Sequence, residues 1–262
     1  MIQKAMAALL HELEAWNEAG RVAELWWRDD DATATSPALD TLLDISSEYR
    51  IPCNLAVIPV KAEVSLRERL AGSERAWVLL HGYAHVNHAP RGSGEGAWEL
   101  GLHRPLETVL NDLQHGREIL KSMFGERFVP VVVPPWNRID PSLYQHLPGL
   151  GLTGVSAEWT GNMTPEVEGV RIVPAHADLL RWKKKQASFA GTDKVVRSIV
   201  DHLRAKRSGK ADQGQPTGVL THHLEMDEAA WEFMNTLAEA TTTHGACRWL
   251  AAKDIFTQGS IG

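Results

Sequence analysis

Apolar and polar positions along this chain follow two rhythms that take turns. Short apolar runs have the length of buried strands, and between them apolar residues recur with the helical period. Met6, Leu9, Leu10, Leu13 and Trp16 mark an amphipathic helix that Gly20 ends. Val22 to Trp27 reads as a strand, and Ser36-Pro37 starts a helix running to about Arg50. Strands follow at Ile51–Val60 and Ala76–Leu80, with a short helix over Ala62–Leu70 between them. A long helix spans Pro105–Phe124, stopped by Gly125, and leads into a compact strand at Val129–Val133 that Pro134-Pro135 cuts off. A short helix at Pro141–Leu147 and strands at Leu152–Ser156 and Val170–Val173 come next. A helix over Asp193–Lys206, a polar linker over Gly209–Thr217 and a strand ending at Thr221 follow. A helix over Asp227–Thr242 and a last strand at Cys247–Leu250 complete the series.

About seven or eight strand–helix pairs predict an α/β fold, a distorted (β/α) barrel of parallel strands, with an open doubly wound sheet as the alternative. At 262 residues one core suffices, so residues 1–262 are expected to form a single domain, with a helix over about 1–20 at its start. No Gly-rich phosphate loop is present, which argues against a nucleotide enzyme.

Charge and composition narrow the picture further. A formal net charge of -6 gives no basic surface for nucleic acid. The one dense basic run, Arg181-Trp182-Lys183-Lys184-Lys185, reads as a solvated face before it reads as an anion contact. No apolar run approaches the ~20 residues of a membrane span. The first residues are interrupted by His11, Glu12 and Glu14 and do not read as a secretory leader. Cys53 and Cys247 stand in no metal-type spacing, and reduced thiols in a cytoplasmic protein fit them best.

Three segments remain that strands alone do not explain: Trp27-Arg28-Asp29-Asp30-Asp31, His81-Gly82-Tyr83-Ala84-His85 and Leu220-Thr221-His222-His223. Each follows an apolar run, so each puts acids or imidazoles at the carboxyl end of a strand, where β/α folds build their sites. Successive carboxylates repel, and a dication bound to one leaves its neighbour able to act as a base. A carboxylate with two histidines suits zinc and leaves a coordination position open. His222 and His223 are strand neighbours pointing to opposite sides, so one of them is expected to face the site.

These segments resemble the NodB-homology polysaccharide deacetylases, metal-dependent carbohydrate esterases with a distorted β/α barrel. The likeness covers roughly residues 25 to 225. Arg28-Asp29-Asp30-Asp31 is similar to the family's Arg-x-Asp-Asp, which implies Asp30 as general base and Asp31 as metal ligand. A register one residue earlier would assign Asp29 and Asp30 instead. His81-Gly82-Tyr83-Ala84-His85 resembles the family's His-(Ser/Thr)-x-x-His, implying that His81 and His85 bind the metal; Gly82 replaces the usual hydroxyl residue. Leu220-Thr221-His222 resembles the Leu-x-His segment and implies His222 as general acid. Val133-Pro134-Pro135-Trp136 resembles Arg-Pro-Pro-aromatic, with valine in place of the arginine that orients the base; Arg138 or Arg28 is the candidate substitute. Ser156-Ala157-Glu158-Trp159 is the nearest match to the acidic segment that pairs with that arginine.

The resemblance implies one divalent ion, zinc by its donors, and a small N-acetylated sugar or glycan fragment as partner, bound through Trp136, Arg138 and Trp159. Hydrolysis of a non-sugar amide or cyclic imide is the second reading, and a non-catalytic metal- or glycan-binding module the third. The Gly-rich stretch Ala89–Gly101 follows the histidines directly and is expected to form either a lid or an ordinary surface connection.

Overall fold

The computed structural model describes residues 2–158, 166–183 and 186–256. The fold class is the expected one, α/β with parallel strands. Two compact units divide the chain: Met1–Asp30, Ser36–Cys53 and Ala175–Ala251 form the first, and Asp31–Thr35, Asn54–Pro174 and Ala252–Gly262 the second.

In the first unit β1 (Ala23–Ala32) runs parallel to β10 (Thr217–Thr221), with Asp29 opposite Thr221, and also parallel to β11 (Cys247–Leu250). β10 in turn runs parallel to β7 (Ala175–Asp178). An antiparallel hairpin, β8 (Leu180–Lys183) and β9 (Gln186–Phe189), follows β7 and was not foreseen. Helices α1 (Ile2–Glu18), α2 (Pro37–Glu48), α5 (Thr192–Arg207) and α6 (Glu228–Thr242) belong to this unit. Ser36 caps α2 by accepting the Leu39 N–H, with Pro37 at the first helical position. The apolar stripe of α1 differs from the expected one at two places. Leu10 is exposed, whereas Glu12 is buried, because Arg207 closes a 2.8 Å ion pair on it and Arg204 a 3.5 Å one.

In the second unit the strand order is β6 (Arg171–Ile172), β5 (Gly154–Val155), β4 (Phe128–Val133), β3 (Ala76–His81), β2 (Cys53–Val57). β3 and β4 are parallel, with His81 opposite Val133. Helix α4 (Leu106–Phe124) covers them through Val109, Leu113, Gly116, Leu120 and Phe124. Gly116 is the close-approach point, since a Cβ there would lie 3.0 Å from both Leu80 and Pro59. Helices α3 (Val64–Ala71) and α7 (Ala252–Phe256) complete the unit, and the Asn54 side chain accepts the Ala252 N–H at 2.7 Å. Among the described residues no helix is long and apolar enough to cross a membrane.

Candidate metal and catalytic centre

Asp31, His81 and His85 converge. One ligand atom from each lies within 4.8 Å of the others, the only such group of this kind among the described residues. All three belong to the second unit, where Asp31 opens the segment Asp31–Thr35. Asp31 Oδ1 lies 3.1 Å from His81 Nε2 and 3.3 Å from His85 Nε2. His81 ends β3, and its Nδ1 meets the Val133 carbonyl at 2.9 Å. A carbonyl only accepts, so Nδ1 carries a hydrogen and Nε2 is the nitrogen turned toward Asp31. Burial, then the His81 ring, push the His85 pKa below its ordinary value, against the opposing pull of Asp31 and Glu99. Two imidazole nitrogens and a carboxylate oxygen thus face one another. This donor set fits a divalent ion of the zinc type.

The backbone is bent to make this arrangement. Five non-glycine residues have positive φ among those described, and four of them are Asp31 (φ 72), His85 (φ 55), Trp136 (φ 54) and Asn137 (φ 56). Each such conformation costs of order 1–3 kcal/mol, and such strain collects at functional sites. Trp136 lies against His85, ring centroids 4.3 Å apart, and remains partly exposed.

A buried residue holds the loop between the histidines. Glu99 Oε2 accepts the Tyr83 N–H at 3.0 Å, and Oε1 accepts those of Ala84 at 2.8 Å and Val86 at 3.2 Å. The Gly-rich stretch therefore lies beside His81 and His85, and its end holds the loop between them. Asn87 Oδ1 accepts the Ala89 and Trp98 N–H groups, both at 2.9 Å. Arg138 donates to the Glu95 and Ala97 carbonyls at 3.3 Å and sits over the Trp98 ring, so its guanidinium serves this loop.

Asp29, Asp30 and His222 lie in the first unit. Arg28 Nη2 donates to Asp30 Oδ2 at 2.9 Å, its Nε lies 2.9 Å from Oδ1, and both residues are buried. Of the two arginines considered, Arg28 is the one on Asp30. Asp29 is buried and belongs to His223: Oδ1 meets Nδ1 at 2.5 Å, and Oδ2 accepts the His223 N–H at 2.9 Å and the Thr221 hydroxyl at 2.6 Å. Trp27 Nε1 donates to that same hydroxyl at 2.8 Å. The strand expected to carry His222 and His223 ends at Thr221, and His223 opens a 3-10 turn with His222 at its N-cap. His222 is half-buried and His223 fully buried, and the Trp182 ring stands edge-on to His222 at 5.5 Å. Glu158 is exposed, and Trp159 lies outside the described residues.

Sequence reasoning did not single out Glu99, which stands in a stretch read only for its glycines. It placed β1 at Val22–Trp27, whereas the strand continues through Ala32 and carries all three aspartates.

No family model and no curated protein matches this sequence. Solved structures do match in fold. A candidate polysaccharide deacetylase from Mycobacterium smegmatis gives a TM-score of 0.63 at 15% identity, covering 92% of this chain and 91% of that one. A family 4 carbohydrate esterase from Streptomyces lividans, in complex with acetate, gives 0.57 at 13% identity, with 90% and 95% covered. A family 4 acetyl xylan esterase from Clostridium thermocellum, in complex with a cobalt ion, gives 0.52 at 11% identity, with 89% and 90% covered.

Proposed function

We propose that this chain, which has the fold of the polysaccharide deacetylases, is a metal-dependent hydrolase that removes an acetyl group from an N-acetylated sugar or sugar conjugate. The observation that carries the reading is the meeting of Asp31 with His81, 50 positions away in sequence, and with His85, their ligand atoms within 4.8 Å of one another. A bound divalent ion there would polarise the amide carbonyl and lower the pKa of water.

The protein's own groups supply the rest. Asp30, joined to Asp31 through the chain, is the base that accepts the proton of the attacking water, and the Arg28 fork fixes the carboxylate in one orientation. His222 is the acid that returns a proton to the leaving amine. Asp29 is committed to His223 inside the protein, which supports the register in which Asp30 and Asp31 are base and ligand. Trp136 and Trp182, both exposed large aromatics, offer faces on which a sugar ring can stack. Valine before Pro134 favoured a non-sugar amide only while the base lacked an arginine, and Arg28 removes that ground.

The test is a metal analysis of the purified protein with an acetate-release assay on N-acetylglucosamine oligomers. About one zinc per chain and release of acetate that stops on chelation and resumes with zinc are expected. Stoichiometric metal without acetate release from any N-acetylated sugar would turn the assignment toward another amide. A protein that binds no divalent ion would overturn it.

A further inference from the structure

We infer that Glu99 is the positioning residue of the metal-ligand loop, holding through its buried carboxylate the backbone between and beyond His81 and His85. The inference rests on the metal reading of the site. Its starting point is the glycine. At Gly82 the backbone has φ 54, and a Cβ would lie 2.6 Å from the Pro135 ring and collide with Glu99 Oε2. The space a side chain would fill at 82 is therefore already taken, and what takes it is a carboxylate.

That carboxylate is 1% exposed as a residue and is answered by three backbone N–H groups, those of Tyr83, Ala84 and Val86. A buried charge is tolerated only when it is so satisfied, and the converse also holds. Three donors pointing inward from the short stretch between and beyond His81 and His85 have no other acceptor within the hydrogen bonds of the loop. The turn they define ends at His85, whose φ of 55 a relaxed chain would abandon. Glu99 itself is fixed from behind. Leu100 bridges to Ile139 in parallel, its carbonyl accepts the Asp140 N–H at 2.8 Å, and Arg104 donates to the Glu99 carbonyl at 3.4 Å while paired with Asp112 at 2.7 Å. His81 is set by its strand and by Val133, so the ligand that depends on Glu99 is His85.

The test uses the metal-free full chain, titrated with zinc by calorimetry, with thermal melts of the same samples. Glu99→Gln keeps one acceptor oxygen and should weaken zinc binding about tenfold. Glu99→Ala keeps none and should weaken it about a hundredfold, the range typical of groups that orient a ligand. Asn54→Ala, which removes the acceptor for the Ala252 N–H, is the control: its melting temperature should fall with zinc affinity unchanged. Glu99→Gln should show the opposite split, with affinity lost and the metal-free melt close to wild type. A folded Glu99→Gln chain with wild-type affinity overturns the inference, whether or not Glu99→Ala folds. So does an Asn54→Ala chain that loses affinity in step with stability, because affinity would then only follow the fold. A wild-type chain that takes up no zinc overturns the proposed function itself, and this inference with it.

Discussion

The chain contains two close histidine pairs, one in each unit, and they are built for opposite ends. His81 and His85 have ring centroids 5.1 Å apart and tilted by 50°, with the Asp31 carboxylate in front of both Nε2 atoms. His176 and His202 are stacked at 3.5 Å and 24°, and the Lys206 ammonium acts on both. His202 Nδ1 meets the Thr217 hydroxyl at 2.8 Å, and His176 accepts the Gly218 N–H on Nδ1 at 2.9 Å and meets Gln215 Oε1 at 3.3 Å. Burial, then Lys206, pushes the His202 pKa down to about 3, and burial, the His202 ring and Lys206 hold His176 well below the ordinary value. Imidazole alone decides nothing. A carboxylate faces the first pair, while burial first and Lys206 after it disfavour charge on the second.

Breaking the first pair should have the largest effect. His81→Ala should lose zinc outright and all acetate release with it, measured by elemental analysis, whereas His202→Ala should keep its zinc. Next come the two groups proposed to move protons. Asp30→Asn and His222→Ala should each lower kcat roughly 10²-fold or more at unchanged metal content. If Asp30→Asn strips the metal while Asp31→Asn retains it, the ligand register is one residue earlier than assigned here.

The second pair is sharpened by pH. Its imidazoles take up protons near pH 6.5 in the unfolded chain, but in the folded chain His202 does so only at about 3. Unfolding therefore binds protons in that window, and stability, complete above pH 6.5, falls as the pH drops below it. His202→Asn should remove about 2 kcal/mol of the stability lost between pH 7 and pH 5, read from urea midpoints. Full acid sensitivity in that variant would break the contrast. The smallest effect concerns Lys206, buried with its Nζ 5.6 Å from the centre of the Trp16 ring and its pKa lowered to about 8, chiefly by burial. Here too the unfolded chain holds the extra proton, so wild-type stability should rise between about pH 8 and 10.5. Lys206→Met should flatten that rise and gain about 1 kcal/mol at pH 7.

The two pairs were also unequally legible in the sequence. His81 and His85 share one segment directly after an apolar run, so their spacing and setting could be read. His176 and His202 are joined by the hydrogen-bonded partners Gln215 and Thr217, which stand in what read as a polar linker; both are buried, and Thr217 already belongs to β10. Polar composition suggested solvent where the structure has buried acceptors. Helix α5 was read nearly to its ends, because its stripe of Val196, Ile199, Val200 and Leu203 depends only on local period. β7 and the β8–β9 hairpin were missed, since Ala-His-Ala-Asp and Leu-Arg-Trp-Lys carry no continuous apolar run. Glu99 was invisible for a different reason: it acts on backbone N–H groups, which leave no pattern in residue types.

Three aspartates in a row would be indistinguishable to a protease or a peptide chemist, yet in the folded chain they differ in reactivity. Their side chains are 0%, 4% and 30% exposed for Asp29, Asp30 and Asp31. A carbodiimide with an amine nucleophile should therefore label one position of the triplet, Asp31, and leave its neighbours untouched until the chain unfolds. Because the same carboxylate is the proposed ligand, added zinc should protect it. The extent of labelling at Asp31 would then report occupancy of the site without any substrate being turned over.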